Sequence, residues 1–131
     1  MQYFFCSINP LDKEWSLFEQ EKMSVTNYYA HSEMEPGDIV LFHIGKQKKK
    51  LVNGVYAIGE VVSDLWRDPE ENRLRTNIKL LNEAIYNQPL FTEEEITLFK
   101  GKMNGIRKPI RIKQNIEILE RMLSTVLEKN D

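Results

Sequence analysis

The chain has a single cysteine, Cys6, and two histidines, His31 and His43, in 131 residues. One cysteine forbids an internal disulfide and fits a reducing, cytoplasmic setting. Neither histidine stands at metal-ligand spacing from the other or from Cys6, so no zinc site is expected. Cys6 lies inside the apolar run Tyr3-Phe4-Phe5-Cys6, which points to a buried, inert thiol rather than a nucleophile. No run approaches the ~18 apolar residues of a membrane-spanning helix. The apolar start has no basic residue ahead of it and stops at Asn9-Pro10, unlike a signal peptide. Phosphate-binding G-x-x-x-x-G-K-S/T is missing, and Gly101-Lys102-Met103-Asn104-Gly105 has neither its length nor its order. A G-x-S-x-G nucleophile elbow is missing too. Asp68, Glu70 and Glu71 lie beside Arg67 and Arg73, as in a solvated turn. Neither an enzyme nor a cofactor is expected.

Hydrophobic residues make up 41% and charged residues 29%, which places the chain with globular proteins rather than disordered ones. Its length suits one domain, residues 1–131. A net charge of −2 excludes a uniformly basic nucleic-acid coat but hides a segregated pattern. Residues 1–45 carry two lysines against seven acids. Lys46, Lys48, Lys49 and Lys50 follow with no acid between them. Lys100, Lys102, Arg107, Lys108, Arg111 and Lys113 repeat the pattern later. If the two basic stretches meet in space they make one strongly positive surface; otherwise they are solvated loops.

Gln2 to Ile8 reads as a strand. Asn9 can cap a helix, Pro10 suits its first turn, and Leu11, Trp15 and Phe18 continue it at helical spacing to about Glu21. After the Pro36-Gly37-Asp38 turn, Asp38–Ile44 and Gly54–Val62 form an expected antiparallel hairpin. Its second strand is nearly all apolar, as when both faces are covered. Asp64–Asn72 reads as a loop and Leu74–Leu81 as a strand. Thr92-Glu93-Glu94-Glu95 fits a capping box opening a short helix that Gly101 would close. Leu119, Met122, Leu123, Val126 and Leu127 mark a terminal helix, with Ile116–Ile118 assignable to it or to a preceding strand. The sum is an α+β domain whose strands curl into a barrel.

Large rings are numerous: Trp15, Tyr28, Tyr29, Phe42, Tyr56 and Trp66. Most such rings are core. Trp66 differs, because Ser63–Asp68 is polar and loops carry binding residues disproportionately. Tyr28 and Tyr29 also fall in an irregular stretch.

The order Tyr3–Asn9, the Trp15 helix, Met23-Ser24-Val25, Pro36–Phe42, Gly54–Ser63 and a late Arg111 resembles the EVE domain of the PUA-like superfamily, related to YTH domains. The resemblance runs to about residue 120. It implies a strongly bent mixed β-barrel flanked by helices, which binds DNA or RNA and receives a flipped, modified, methylated base in an aromatic-lined pocket. EVE domains are also fused to the motor subunits of modification-dependent restriction systems, which implies a nucleotide-driven motor or nuclease as partner. By position, Ser7 and Asn9 match the polar end of the first strand, and Phe42-His43 the strand lining the pocket. Met23 stands where a tryptophan wall is usual, and a thioether offers no π face, so Tyr28 or Tyr29 would replace it. Trp66 would be the second wall. Lys46, Lys48, Lys49, Lys50 and Arg111 would hold phosphates. Two other readings remain open: a small-molecule or nucleotide-binding domain, and a protein-interaction module.

Overall fold

The computed structural model describes residues 1–8, 16–45, 51–100 and 109–129. In chain order the elements are β1 (Tyr3–Ser7), a 3₁₀ turn (Leu17–Glu19), β2 (Val25–Tyr29), β3 (Ile39–Ile44), β4 (Gly54–Val61), β5 (Trp66–Asp68), β6 (Arg73–Leu80), β7 (Phe91–Thr92), α1 (Glu93–Lys100), β8 (Ile110–Arg111) and α2 (Ile116–Lys129). The strands form one sheet in the order β2-β6-β4-β3-β1-β8, with β5 added to β6 and β7 to β4. β1 and β3 are parallel, from Tyr3 opposite Ile39 to Ser7 opposite His43. The other pairs are antiparallel, including the expected β3–β4 hairpin.

The sheet divides the apolar residues by the two-residue period of its strands. Phe4, Cys6, Val40, Phe42, Tyr56 and Ile78 pack on one face. Tyr3, Phe5, Ile39, Leu41 and Ile58 pack on the other, beneath Ile96 and Phe99 of α1 and Leu119 and Leu123 of α2. Covered on both sides, β3 and β4 can afford no alternation. Tyr28 and Phe42 show how far the sheet bends. β2 and β3 are three places apart, roughly 14 Å in a flat sheet, yet these rings lie 4.8 Å apart. The expected α+β class is the observed one, and the strands expected to curl into a β-barrel form one strongly bent, mixed eight-stranded sheet with α1 and α2 against one face.

Several short motifs have specific jobs. Gly37 takes φ +96°, open to glycine, in the turn before β3. Buried Asp38 then accepts hydrogen bonds from the Gln2 backbone N–H, the Gln2 side-chain amide and the Glu35 N–H, each at 2.9 Å. Those bonds fasten the start of β1 beside β3. Where β6 leaves β4, buried Asn82 takes its place: its Oδ1 accepts the Ile58 N–H at 2.8 Å and its Nδ2 donates to the Tyr56 carbonyl at 3.1 Å. The capping box is formed as expected, with Thr92 N–H donating to Glu95 and Glu95 N–H to the Thr92 hydroxyl. Ile116–Ile118 belong to α2.

Three expectations need correction. The Trp15 helix falls largely outside the described residues, and its described end is one 3₁₀ turn closed by extended Gln20. Gln20 turns away because its side chain accepts the Tyr28 hydroxyl at 3.0 Å. Tyr28 and Tyr29 are not irregular but form the end of β2. Trp66 lies not in a loop but on β5, because Trp66–Asp68 find partners on β6.

A Cβ on Gly59 would run into Ile78 and lie 3.0 Å from the Phe42 ring. Gly59→Ala is therefore expected to lower stability by about 1–3 kcal/mol through overpacking. An unchanged urea midpoint would contradict that packing.

Candidate functional site

β6 pairs with β2 along one edge and with β5 and then β4 along the other. Arg75 therefore has Tyr29 opposite it on one side and Trp66 on the other. Alternation turns Arg73 and Arg75 away from the face holding Thr76 and Ile78. Arg75 is only 4% exposed. Its Nε donates to Asp68 at 2.9 Å, Nη1 to Asn27 at 2.9 Å and Nη2 to Glu71 at 3.3 Å. The Tyr29 hydroxyl donates to the second Glu71 oxygen at 2.6 Å. The Arg73 guanidinium lies 3.4 Å from the centroid of the Tyr29 ring, and that of Arg75 4.6 Å. The Glu70 N–H, with further help from Glu71 N–H and Arg75, holds the Asp68 carboxyl below its ordinary value. Hydrogen bonding to Glu71 pushes the Tyr29 hydroxyl up.

Beside this array is a cavity of about 330 Å³ lined by Tyr29, Ala30, His31, Ser32, Arg67, Asn72, Arg73, Leu74 and Pro109. No carboxylate is among these residues. Arg67 is held by donating from Nη1 to the Asn72 carbonyl at 3.0 Å. His31 Nδ1 accepts the Glu33 N–H at 3.0 Å. A neutral His31 must therefore carry its proton on Nε2. Arg111 Nη1 lies 3.7 Å from the Glu33 carboxylate, which is 3.8 Å from His31.

The residues singled out from sequence separate into groups. Ser7 and His43 come together, Oγ to Nδ1 at 3.1 Å. His43 Nε2 bonds Glu93 at the start of α1, and its ring packs on Phe5. This chain lies on the helix-covered face. The cavity reaches the opposite face, where His31 contacts Phe4. Phe42 and Tyr28 are in the core at 0% and 1% exposure. Burial pushes the Tyr28 hydroxyl up to about 12. Met23 is exposed with φ +73°, and its N–H donates to Leu80 at the far end of β6 from Trp66. Trp66 is exposed next to Arg67. Asn9, Lys46, Lys48, Lys49 and Lys50 lie outside the described residues. Sequence reasoning missed His31, Ser32, Asn72 and Glu93, and treated Arg67 and Arg73 as parts of a solvated turn. Only the first-turn position of Glu93 in the capping box carried a signal.

Protein-family models and the curated proteins give no match to the sequence. Solved structures do. A hypothetical protein from Leishmania major matches with a TM-score of 0.57 and 16% identity, over 95% of this chain and 96% of its own. The human THYN1 protein, in complex with 5-methylcytosine-containing DNA, matches with a TM-score of 0.53 and 12% identity, over 96% and 98%. Protein Atu2648 from Agrobacterium tumefaciens matches with a TM-score of 0.50 and 13% identity, over 93% of each chain. The chain shares its fold with these three proteins.

Burial pushes the Cys6 thiol from 9.0 up to about 12, with Arg73 opposing. Below pH 9 the thiol is protonated whether folded or not. Between pH 9 and 12 only the unfolded chain releases the proton, so stability falls as pH rises. Folded protein at pH 8 should resist a thiol reagent that labels the urea-unfolded chain. Cys6→Ala should lose stability less steeply than wild type from pH 9 to 11. Identical slopes would remove Cys6 as a cause.

Proposed function

We propose that the chain is a member of the EVE family and a non-enzymatic module that binds nucleic acid and recognises a modified, methylated base. The carrying observation is the exposed Trp66 indole, set by β6 beside Arg75 and Tyr29, with the next residue, Arg67, on a cavity whose described lining holds two arginines and no carboxylate. The fold shared with DNA-bound THYN1 over almost the whole chain supports the reading.

The physical steps are few. Extruding a base costs a few kcal/mol. Stacking on an aromatic ring returns ~1–3 kcal/mol. An added methyl group raises the apolar contact with the indole. Guanidiniums around the cavity attract the backbone, and affinity falls with salt. Buried Phe42 and Tyr28 support the sheet from within rather than touching the base. The Ser7–His43–Glu93 chain fixes the ends of β1 and β3, from which Asn9 follows. Such a reader, working in the cytoplasm, would serve as the DNA-recognition part of a modification-dependent restriction system, with a nucleotide-driven motor or nuclease as its partner.

The test is titration of methylated and unmodified oligonucleotides of one sequence against wild type and Trp66→Ala. Wild type should prefer the methylated strand. Trp66→Ala should weaken binding by ~1–3 kcal/mol and erase the preference. Equal affinities, untouched by the substitution, would remove the reading.

A further inference from the structure

The face of the sheet that carries Trp66 also holds two carboxamides at mid-strand. β2 and β6 run side by side, and their central pair is Asn27 opposite Asn77. Asparagine is depleted in strands, where valine, threonine and tyrosine pack better. Two of them opposed in this way contradict the local structure, and such contradictions gather at functional positions. Alternation puts Asn77 on the face of Arg75, away from buried Thr76 and Ile78. Trp66 is directly opposite Arg75 and shares that face, so Asn77 is its diagonal neighbour, roughly 7–8 Å away.

The backbone of Asn77 is pinned at both polar groups. Its N–H donates to Ser63 Oγ at 2.9 Å, and its carbonyl accepts the Val62 N–H at 2.9 Å. The side chain is half-buried and, among the described residues, has no hydrogen-bond partner. Asn27 differs, because its Oδ1 accepts Arg75 Nη1 at 2.9 Å. Val62 and Trp66 are each 38% exposed, so apolar surface flanks the Asn77 position. A nucleobase is flat and apolar on its faces, with donors and acceptors along its edge. A carboxamide offers one donor group and one acceptor side by side, the pattern that pairs with such an edge in two bonds. A phosphate offers acceptors only and would leave the carboxamide oxygen unmatched.

We propose that Asn77 reads the edge of the base that stacks on Trp66, donating from Nδ2 and accepting at Oδ1. The inference rests on the nucleic-acid reading and adds to it the residue that tests the edge of the base. The ligand class is a heterocycle with a donor next to an acceptor, such as the amino group and ring nitrogen of cytosine. Trp66 senses the ring and its methyl group, and Asn77 senses the edge. A ring without that edge leaves the carboxamide unpaired beneath it.

The experiment uses the full chain and Asn77→Ala, whose urea midpoint should match wild type because the carboxamide bonds nothing in the fold. Three oligonucleotides of one sequence carry 5-methylcytosine, cytosine or difluorotoluene at the central position. Difluorotoluene stacks like a base but has no hydrogen-bonding edge. Asn77→Ala should weaken both cytosine strands by about tenfold, the scale of an unpaired hydrogen bond. It should leave the difluorotoluene strand, the salt slope and the preference for the methylated strand as in wild type. A loss of the same size on the difluorotoluene strand would overturn the assignment, since Asn77 would then act on something other than the edge. Unchanged affinity for all three strands, with Trp66→Ala still erasing the methyl preference, would overturn it and leave the reader intact. Wild type that binds none of the strands would end the nucleic-acid reading and this inference with it.

Discussion

Burying a guanidinium costs several kcal/mol unless its charge and its donors are met, and removing one partner of such a group costs about 3–5 kcal/mol. Arg75 meets that condition with Asp68, Glu71 and Asn27. The three acceptors come from β5, the β5–β6 turn and β2. One side chain therefore ties together the three strands that make the candidate interface. Tyr29 and Trp66 take their places because they flank it in register. Its two ionic partners, Asp68 and Glu71, are held in place in return.

The curled sheet decides which residues remain available for binding. Bending lets Tyr28 and Phe42 meet inside, and α1 and α2 seal the other face. Among the described residues, the rim shared by β2, β5 and β6 gathers Tyr29, Trp66, Arg67, Arg73 and Arg75. Ser7, His43 and Glu93 join β1, β3 and α1 on the sealed face, so their polar chain holds the frame. That division separates residues which positional matching alone puts in one pocket.

The framework was legible where burial imposes a pattern. β1, the β3–β4 hairpin, β6, the capped α1 and the apolar stripe of α2 each announce themselves through runs, turns or spacing. β2 did not, because Val25-Thr26-Asn27-Tyr28-Tyr29 is a polar strand at the end of the sheet, with only Tyr28 fully inside. β5 did not, because three residues hold their shape only through β6. The cavity was invisible for a different reason. Its wall is assembled from residues 29–32, 67, 72–74 and 109, and no local spacing links them. Charge counting pointed to lysine runs, whereas the cavity is lined by Arg67 and Arg73, which read as parts of a solvated turn.

The most direct test of this account is an amide chemical-shift map of the chain titrated with a methylated oligonucleotide. Shifts should gather at Tyr29–Ser32, Trp66–Asp68 and Asn72–Leu74, with Glu117–Thr125 of α2 unmoved. Shifts gathered on α2, with β2, β5 and β6 silent, would contradict the claim that the Arg75-centred rim is where nucleic acid is held.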